Sequence, residues 1–279
     1  MTFVNLIKIF VLLVVLINKM WIDSHCHLDF ISINDSLETI ISECERQEVD
    51  HIVVPSVDPS NLVSVIDLSR QFKHVSFALG FHPMYINKLK EGDLENLDNW
   101  ISENEEIIAL GEIGLDFFER KDNIDQQEAI FVHQLKLAKK YDLPVIMHVR
   151  GAIDRILKNL RRYPVRGGIA HAFNGSMQQA SQFIELGFKL GFGGAMTYDR
   201  AKHLQMLATQ IPLDAIVLET DAPDIAPSWL TKGTVNTPSQ LAKIGAFLAQ
   251  LRNIPAEEIA RITSQNCLQV LPKLNKLYT

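Results

Sequence analysis

The chain has 279 residues, a hydrophobic fraction of 47% and a formal net charge of −6, values ordinary for a globular, enzyme-sized protein. The acidic balance argues against a protein that coats nucleic acid non-specifically, because such binding rests on many Lys and Arg contacts, but a pocket for one phosphodiester end remains possible. The three cysteines, Cys26, Cys44 and Cys267, are odd in number and irregularly spaced. They argue against a disulfide framework and predict a reducing, cytoplasmic location.

The first 19 residues form an apolar leader. Ile9–Ile17 is an uninterrupted apolar run, but it is too short to span a bilayer, which takes about 20 residues. The segment Ile17-Asn18-Lys19 is a poor signal-cleavage site. We predict one domain over residues 20–279, with residues 1–19 as either an upstream-start artefact or an anchor. The first interpretation is favoured, so no membrane association is expected.

After residue 20, short β-rich apolar runs alternate with helical stretches. We predict strands over Trp21–His25, His51–Pro55, Val75–Gly80, Ile107–Glu112, Pro144–His148, Gly167–His171, Phe188–Phe192 and Ala215–Glu219. Helices are predicted over Leu37–Val49, Asn61–Arg70, Gln126–Tyr141, Ile153–Arg162, Met177–Leu186, Leu241–Leu251 and Glu257–Leu271. This alternation indicates parallel βαβ units, and eight of them predict an α/β fold of the (β/α)₈ TIM-barrel type. A doubly wound open sheet is the alternative, but its Gly-x-Gly-x-x-Gly loop is missing after the first strand.

A His-x-His pair ends the first predicted strand. Side chains two apart on a strand point the same way, so His25 and His27 reach into one space while Cys26 faces the opposite side. Two neutral imidazoles that converge suit a divalent metal ion. Taken alone, the pair is a weak signal, and a pair of surface histidines is the favoured interpretation.

Four further metal-capable side chains stand at the ends of other predicted strands. Glu112 closes the fourth strand, His148 the fifth and His171 the sixth, and Asp221 follows the eighth. In a barrel these strand ends open on one face, where active sites are built. Each residue alone could cap a helix or order a loop, but the joint pattern predicts a metal site.

The segments that carry these residues resemble the TatD family of metal-dependent hydrolases, within the amidohydrolase-like barrels. They are Ile-Asp-Ser-His-Cys-His-Leu-Asp (22–29), Gly-Phe-His-Pro (80–83), Gly-Glu-Ile-Gly-Leu-Asp (111–116), Pro-Val-Ile-Met-His-Val-Arg (144–150), His-Ala-Phe-Asn-Gly-Ser (171–176) and Leu-Glu-Thr-Asp-Ala-Pro (218–223). The resemblance implies a TIM barrel with one to three divalent ions, and we expect two, as Zn, Mn or Mg. It further implies that His25, His27 and Asp221 hold one ion, that His148 and His171 hold the second, and that Glu112 bridges them. The chain departs from the family in its leader and in Asn174, where relatives usually carry a small residue.

Two of the six residues are also predicted to act in catalysis. Asp221 can hold a metal with one oxygen and accept the proton of the attacking water with the other. Glu112 as a bridge would place a negative charge between two cations and offset their repulsion. Glu219, two residues before Asp221, could order a ligand histidine.

Four residues are predicted to bind substrate, each with a structural alternative. Arg150 could hold a phosphate oxygen or form a rim salt bridge, and His82 could donate to substrate or order its loop. Asn174 and Ser176 could bind substrate or cap the helix that begins near Met177.

The resulting prediction is a divalent-metal-dependent hydrolase of phosphodiester bonds, a deoxyribonuclease acting on DNA ends, since the TatD-like family includes such enzymes. The alternative is hydrolysis of a small amide, ester or lactone on the same barrel, because both reactions use metal-activated water. A non-catalytic metal-binding protein is a third possibility, which the intact ligand set disfavours. DNA ends or small phosphodiesters are the expected partners, and no obligate protein partner is indicated.

Overall fold

In a computed structural model, residues 20–31, 36–119 and 121–275 are described, and the predicted leader lies outside these residues. Eight parallel strands form one sheet in sequential order. They are β1 (Trp21–Asp23), β2 (Val49–Pro55), β3 (Val75–Leu79), β4 (Ala109–Asp116), β5 (Val145–Arg150), β6 (Gly168–Ala170), β7 (Phe188–Phe192) and β8 (Ile216–Leu218). The sheet curls into a nearly closed barrel, which confirms the predicted (β/α)₈ fold.

Helices alternate with the strands around the barrel. They are α1 (Leu37–Arg46), α2 (Leu62–Gln71), α3 (Asp93–Glu103), α4 (Ile124–Lys140), α5 (Ile153–Arg162), α6 (Met177–Glu185), α7 (Lys202–Gln210), α8 (Leu241–Arg252), α9 (Ala256–Val270) and α10 (Pro272–Asn275). None of the helices within the described ranges is both long and apolar enough to cross a bilayer.

Backbone hydrogen bonds join the first and last strands just beyond their ends. Ser24 N–H donates to the Leu218 carbonyl at 3.0 Å, and Asp221 N–H donates to the His25 carbonyl at 2.9 Å. These bonds bring the segments after β1 and β8 side by side. The His-x-His pair and Asp221 therefore meet because the barrel nearly closes between them.

The barrel interior is a separate apolar cluster that lies beneath the site residues. Ile146 lies two residues before His148, and Ile169 two before His171, so each pair shares one face of its strand. The C-terminal helices complete this cluster. Its members are Ile22, Val53, Ala78, Ile108, Ala109, Ile146, Ile169, Val217, Cys267, Leu268, Val270, Leu271 and Leu274.

Helix α4 fixes the ends of two strands through buried glutamines. Gln134 accepts from Phe81 N–H at 2.7 Å and donates to the Phe81 carbonyl at 3.1 Å. One end of the helix is tied to β4 in the same way, because Gln127 accepts from Asp116 N–H at 2.8 Å and donates to its carbonyl at 3.0 Å. The helix thereby sets the backbone beside His82 and at the end of β4.

Strands β1, β3, β6 and β8 end one or two residues before their predicted ends, and two other strands run past theirs. Strand β4 continues four residues beyond Glu112 to Asp116, and β5 continues past His148 to Arg150. The prediction that Glu112 closes the fourth strand and His148 the fifth is therefore wrong. The two strands pair as far as Asp116 and Arg150. Their mutual hydrogen bonds therefore extend each strand beyond the end predicted from its apolar residues.

Candidate metal centre

Glu112 lies at the centre of the site, and its two carboxylate oxygens face different histidines. Oε2 lies 3.3 Å from Nε2 of His25 and 3.3 Å from Nε2 of His27. Oε1 lies 3.2 Å from Nδ1 of His148 and 3.2 Å from Nε2 of His171. The carboxylate is thus positioned to face two cations at once.

The His-x-His pair and Asp221 form one side of this arrangement. Nε2 of His25 and Nε2 of His27 lie 3.2 Å apart, and Asp221 Oδ1 lies 3.4 Å and 3.7 Å from these atoms. Cys26, between the histidines, is fully buried in the outer core, as the strand alternation predicts. Three nitrogen and oxygen donors therefore converge next to Glu112 Oε2.

Asp23 supports the segment that carries Asp221. Its carboxylate accepts from the Thr220 hydroxyl at 2.5 Å, from Thr220 N–H at 3.0 Å and from His25 N–H at 3.3 Å. Asp221 itself has a left-handed backbone, with φ of 51°, a conformation that Asp tolerates better than most residues. The turn after β8 is therefore held by hydrogen bonds that it donates to a buried carboxyl group on β1.

The electrostatics of the cluster favour cations. Burial by itself would raise the pKa of Glu112, but the imidazoles of His82, His25 and His171 outweigh it and hold that pKa well below its ordinary range. Burial disfavours a charged His171, yet Glu112 and Asp221 raise its pKa well above the usual value. The donor set is thus a buried pocket of imidazole nitrogens and carboxylate oxygens, which fits divalent ions such as Zn²⁺ or Mn²⁺.

Asp116 orients His148 and was not among the predicted site residues. Its Oδ2 accepts from His148 Nε2–H at 2.8 Å, and its Oδ1 accepts from the backbone N–H groups of Phe118 and Glu119 at 2.9 and 2.8 Å. Burial raises its pKa, but these hydrogen bonds outweigh burial and lower the pKa to about 2. The ionised Asp116 binds the N–H group at Nε2 of His148, so Nδ1 is the ring nitrogen that faces Glu112.

Glu219 occupies the corresponding position behind His171. Its Oε1 lies 3.5 Å from His171 Nδ1 and accepts from Ala172 N–H at 2.6 Å. The carboxylate is packed against Gly191, where an added Cβ would lie 2.1 Å from Oε2. The absence of a side chain at Gly191 therefore makes room for Glu219.

His82 lies next to the same carboxylate but directs an N–H group toward it. Its Nε2 is 3.2 Å from Glu112 Oε1, and its Nδ1 accepts from Met84 N–H at 3.1 Å. Because Nδ1 is an acceptor, the proton of the neutral ring sits on Nε2. Burial lowers the pKa of His82 to about 4, so the ring is a neutral donor at physiological pH. In His148 and His171, by contrast, the ring nitrogen that points away from Glu112 faces a carboxylate.

The centre opens into a cleft of about 1270 Å³. Three of the four predicted substrate residues, His82, Arg150 and Asn174, line it. Arg150 pairs with Glu119 at 3.2 Å, so the rim salt bridge considered from the sequence is present. Ser176 does not line the cleft. Its hydroxyl accepts from Gln179 N–H at 3.1 Å and caps α6, which favours the capping alternative over substrate contact.

The fold is a (β/α)₈ barrel that solved structures of other proteins share. The solved structure of dihydropyrimidinase from Brevibacillus agri has the same barrel fold, with a TM-score of 0.63 at 13% identity over 90% of this chain and 70% of that one. The structure of YjjV, a TatD homologue from Escherichia coli, is more similar. Its TM-score is 0.87 at 36% identity, over 92% of this chain and 99% of that one.

Residues 22–272 match the family model described as TatD related DNase. In sequence, the metal-dependent hydrolase YjjV of Escherichia coli is 38% identical over 88% of this chain and 95% of its own length. The metal-dependent hydrolase YabD of Bacillus subtilis is 32% identical over 88% and 97%, respectively. The chain belongs to the TatD-related DNase family and is a metal-dependent hydrolase.

Proposed function

We propose that this protein hydrolyses phosphodiester bonds at DNA ends with two divalent ions, one on each side of Glu112. The observation that carries the proposal is the two-sided position of Glu112. Each of its oxygens lies 3.2 or 3.3 Å from a different pair of imidazole nitrogens. Sites with two metal ions are typical of phosphatases and nucleases, which displace a group at phosphorus.

The donor atoms divide into two sets. His25, His27 and Asp221 would hold one ion, and His148 and His171 would hold the second, with Glu112 shared between them. Zinc, manganese and magnesium are the candidate ions, and a mixed imidazole–carboxylate set accepts each of them to a different degree. When bound, such ions act as Lewis acids that polarise phosphoryl oxygens and make water more acidic.

Asp221 is the proposed general base. Its side chain is 12% exposed and lines the cleft, whereas that of Glu112 is 1% exposed. Burial raises the pKa of Asp221 to about 6, although the imidazoles of His171 and His27 oppose the shift. A carboxylate that holds a metal ion with one oxygen can accept the proton of the attacking water with the other.

His82 and Arg150 are proposed to bind the phosphate. His82 Nε2–H donates to an oxygen, and its Glu112 contact places the donor beside the reacting centre. The guanidinium fork of Arg150 matches phosphate oxygens. Its present partner Glu119 is 46% exposed, so that ion pair is weak and can be exchanged for a phosphate. Asn174 is an exposed amide on the same cleft and would contact the sugar or phosphate of the substrate.

We also infer a cytoplasmic enzyme that needs no protein partner for its chemistry. Cys26, Cys44 and Cys267 are buried free thiols, which fits a reducing compartment. All the donor atoms of the centre come from one chain.

The proposal is tested with metal-loaded protein on two forms of one DNA sequence, an end-labelled linear duplex or single strand and a covalently closed circle. We expect metal-dependent release of labelled nucleotides from the linear DNA and no nicking of the circle, because the reaction requires an end. A panel of lactones, esters and amides is assayed in parallel. Turnover of a lactone or amide without any cleavage of DNA would contradict the proposal and favour the alternative substrate class.

A further inference from the structure

Apolar side chains are concentrated around the mouth of the cleft. In the ranges that the structure describes, four large hydrophobic residues are exposed, and three of them, Phe30, Met84 and Phe118, line the cleft. The fourth, Val63, lies on α2 and does not line it. Single exposed hydrophobic residues are normal, but three around one mouth indicate a contact surface. The sugars and phosphates of a nucleic acid are polar, so its flat apolar groups are the bases.

Phe118 is the most exposed of these residues, at 65%, and its ring is supported from one side. The guanidinium carbon of Arg150 lies 4.3 Å from the ring centroid, which is a cation–π contact. Glu119 holds the guanidinium at 3.2 Å. Arg150 therefore covers one side of the ring while most of the ring surface stays accessible.

Phe118 is closely connected to the metal centre. Its backbone N–H donates to Asp116 Oδ1 at 2.9 Å, and Asp116 Oδ2 accepts from His148 at 2.8 Å. Only one side chain thus separates the residue from a proposed metal ligand. The ring and the centre line the same cleft, so one bound nucleotide can contact both.

Positive charge accompanies the aromatic surface. Arg155 and Lys158, on the helix after β5, line the cleft together with Arg150. An aromatic ring next to cationic side chains is the combination that binds unpaired nucleotides, with the ring stacking on a base and the charges facing the backbone. The chemistry of this rim therefore matches a nucleotide better than a lactone or amide.

We propose that Phe118, backed by Arg150, is a stacking platform for the nucleobase next to the cleaved phosphodiester. This inference rests on the proposed function and adds a specificity-determining residue to it. The platform recognises the flat face that all bases share, so it would bind a base without selecting its identity.

The test combines a change in the protein with a change in the substrate. F118A, F118L and F118W are compared with wild type on short oligonucleotides. Matched oligonucleotides carry a tetrahydrofuran abasic residue on one or the other side of the cleaved bond. V63A is the control, because it also truncates an exposed apolar residue but lies outside the cleft. Unfolding temperature and metal content are measured for each variant.

We expect F118A and F118L to lower kcat/KM for base-containing substrates by roughly 5- to 100-fold, the range of base–aromatic stacking. F118W keeps a ring and should retain most of the activity, and V63A should match wild type. Removing the base next to the cleaved bond should lower wild-type kcat/KM by a similar factor. F118A combined with that abasic substrate should lose little more than either change alone, because both delete the same contact.

Equal losses for F118A on base-containing and abasic substrates would overturn the platform, because the ring would then only shape the loop. Unchanged kcat/KM in F118A would overturn it as well. In both cases wild type would still cleave DNA, so the proposed function would stand. If metal-loaded wild type cleaved no oligonucleotide at all, the proposed function would fail and the platform with it.

Discussion

Each histidine on the Glu112 Oε1 side has a second ring nitrogen that faces a group outside the centre, and this group decides which atom can bind a cation. His148 donates from Nε2 to Asp116, and His171 Nδ1 faces Glu219. Nδ1 of His148 and Nε2 of His171 are therefore the nitrogens that would hold a cation once they have lost their protons. His82 accepts through Nδ1 and directs an N–H into the site. Sequence motifs identify these histidines but cannot assign their tautomers, which depend on residues distant in the chain.

Asp116 shows where sequence reasoning missed a site residue. It lies four residues after Glu112 on β4, on the same face of the strand. Its motif, Gly-Glu-Ile-Gly-Leu-Asp, is one of the segments that resemble the family, but the strand predicted from the sequence ends at Glu112. The signal was the spacing of two carboxylates on one strand, and it becomes visible only once the strand is extended by its pairing with β5.

We predict that D116N weakens metal binding about 10- to 100-fold, the usual effect of losing a hydrogen bond to a ligand histidine. The amide of Asn can still accept from the backbone but presents N–H₂ to His148 Nε2. The ring must then protonate Nδ1, which faces Glu112. Metal titration followed by calorimetry measures the change, with E119Q as the control, because Glu119 pairs with Arg150 at the rim. Unchanged affinity in D116N would show that the hydrogen bond does not set the tautomer.

We predict that D221N lowers turnover by about 10²- to 10⁴-fold even when metal analysis shows a filled site. Asn keeps one coordinating oxygen but cannot take the proton of the attacking water. Turnover and metal content are measured across a metal titration, with D224N, another carboxylate that lines the cleft, as the control. Full rescue of D221N by excess metal would mean that Asp221 is only a ligand and that the general base is another residue.

Most elements were predicted from the sequence because their apolar periodicity is strong. In α4, Phe131, Leu135 and Ala138 recur at four- and three-residue spacing and are fully buried. Helices α3 and α7 are not among the predicted elements, and the structure buries Leu97 and Ile101 in α3 and Leu207 and Ala208 in α7. Such short amphipathic helices are stabilised by packing on the barrel, which a local pattern does not record.

Gly191 on β7 packs against Glu219, which follows β8, so a larger residue at position 191 tests the contact between these two segments. In G191A the new Cβ would meet Glu219 Oε2 at 2.1 Å, so the carboxylate must leave Ala172 and His171. We expect a loss of about 1–3 kcal/mol in the free energy of unfolding, which is typical of overpacking, and weaker metal binding. The double variant G191A/E219D relieves the clash and should regain stability but not metal affinity. Wild-type metal affinity in G191A would contradict this role of Glu219.

At the scale of the whole molecule, the barrel follows from eight strand–helix repeats, and the convergence of the site follows from the barrel. The strand ends collect His25, His148, His171 and Asp221 from four different strands onto one face. The packing of the C-terminal helices against the barrel interior was not predictable, because their apolar residues fit any helix that packs on a sheet. Only the complete fold shows that Cys267 and Leu271 join the inner cluster.

Lys88 and Asp58 give a test of stability against pH that does not involve the metal centre. Burial raises the pKa of Asp58, but the hydrogen bond from Lys88 at 2.6 Å and those from Ser60 outweigh it and lower the pKa. Ionised Asp58 therefore stabilises the folded state at pH values above its pKa in the unfolded chain, which is near 4. This stabilisation is lost as the pH falls through the lower pKa that Asp58 has in the folded protein. We expect K88M to be less stable than wild type at pH 7, by up to about 1 kcal/mol.

The difference in stability between wild type and K88M should shrink as the pH falls below 4, because protonated Asp58 no longer forms an ion pair with Lys88. Denaturant unfolding of wild type and K88M at several pH values measures it. K90M is the control, because the Lys90 side chain is not part of this pair. A difference that stayed constant down to pH 2 would contradict the assignment.

The number of divalent ions bound per chain tests the central claim most directly. We expect two equivalents of Zn²⁺ or Mn²⁺ in wild type, by elemental analysis after equilibrium dialysis, because Glu112 faces two sets of donors. E112Q removes the shared charge and should lose both ions at metal concentrations that saturate wild type, with partial recovery at high metal. Saturation of wild type at a single equivalent, or two ions held by E112Q as tightly as by wild type, would contradict a centre organised around Glu112.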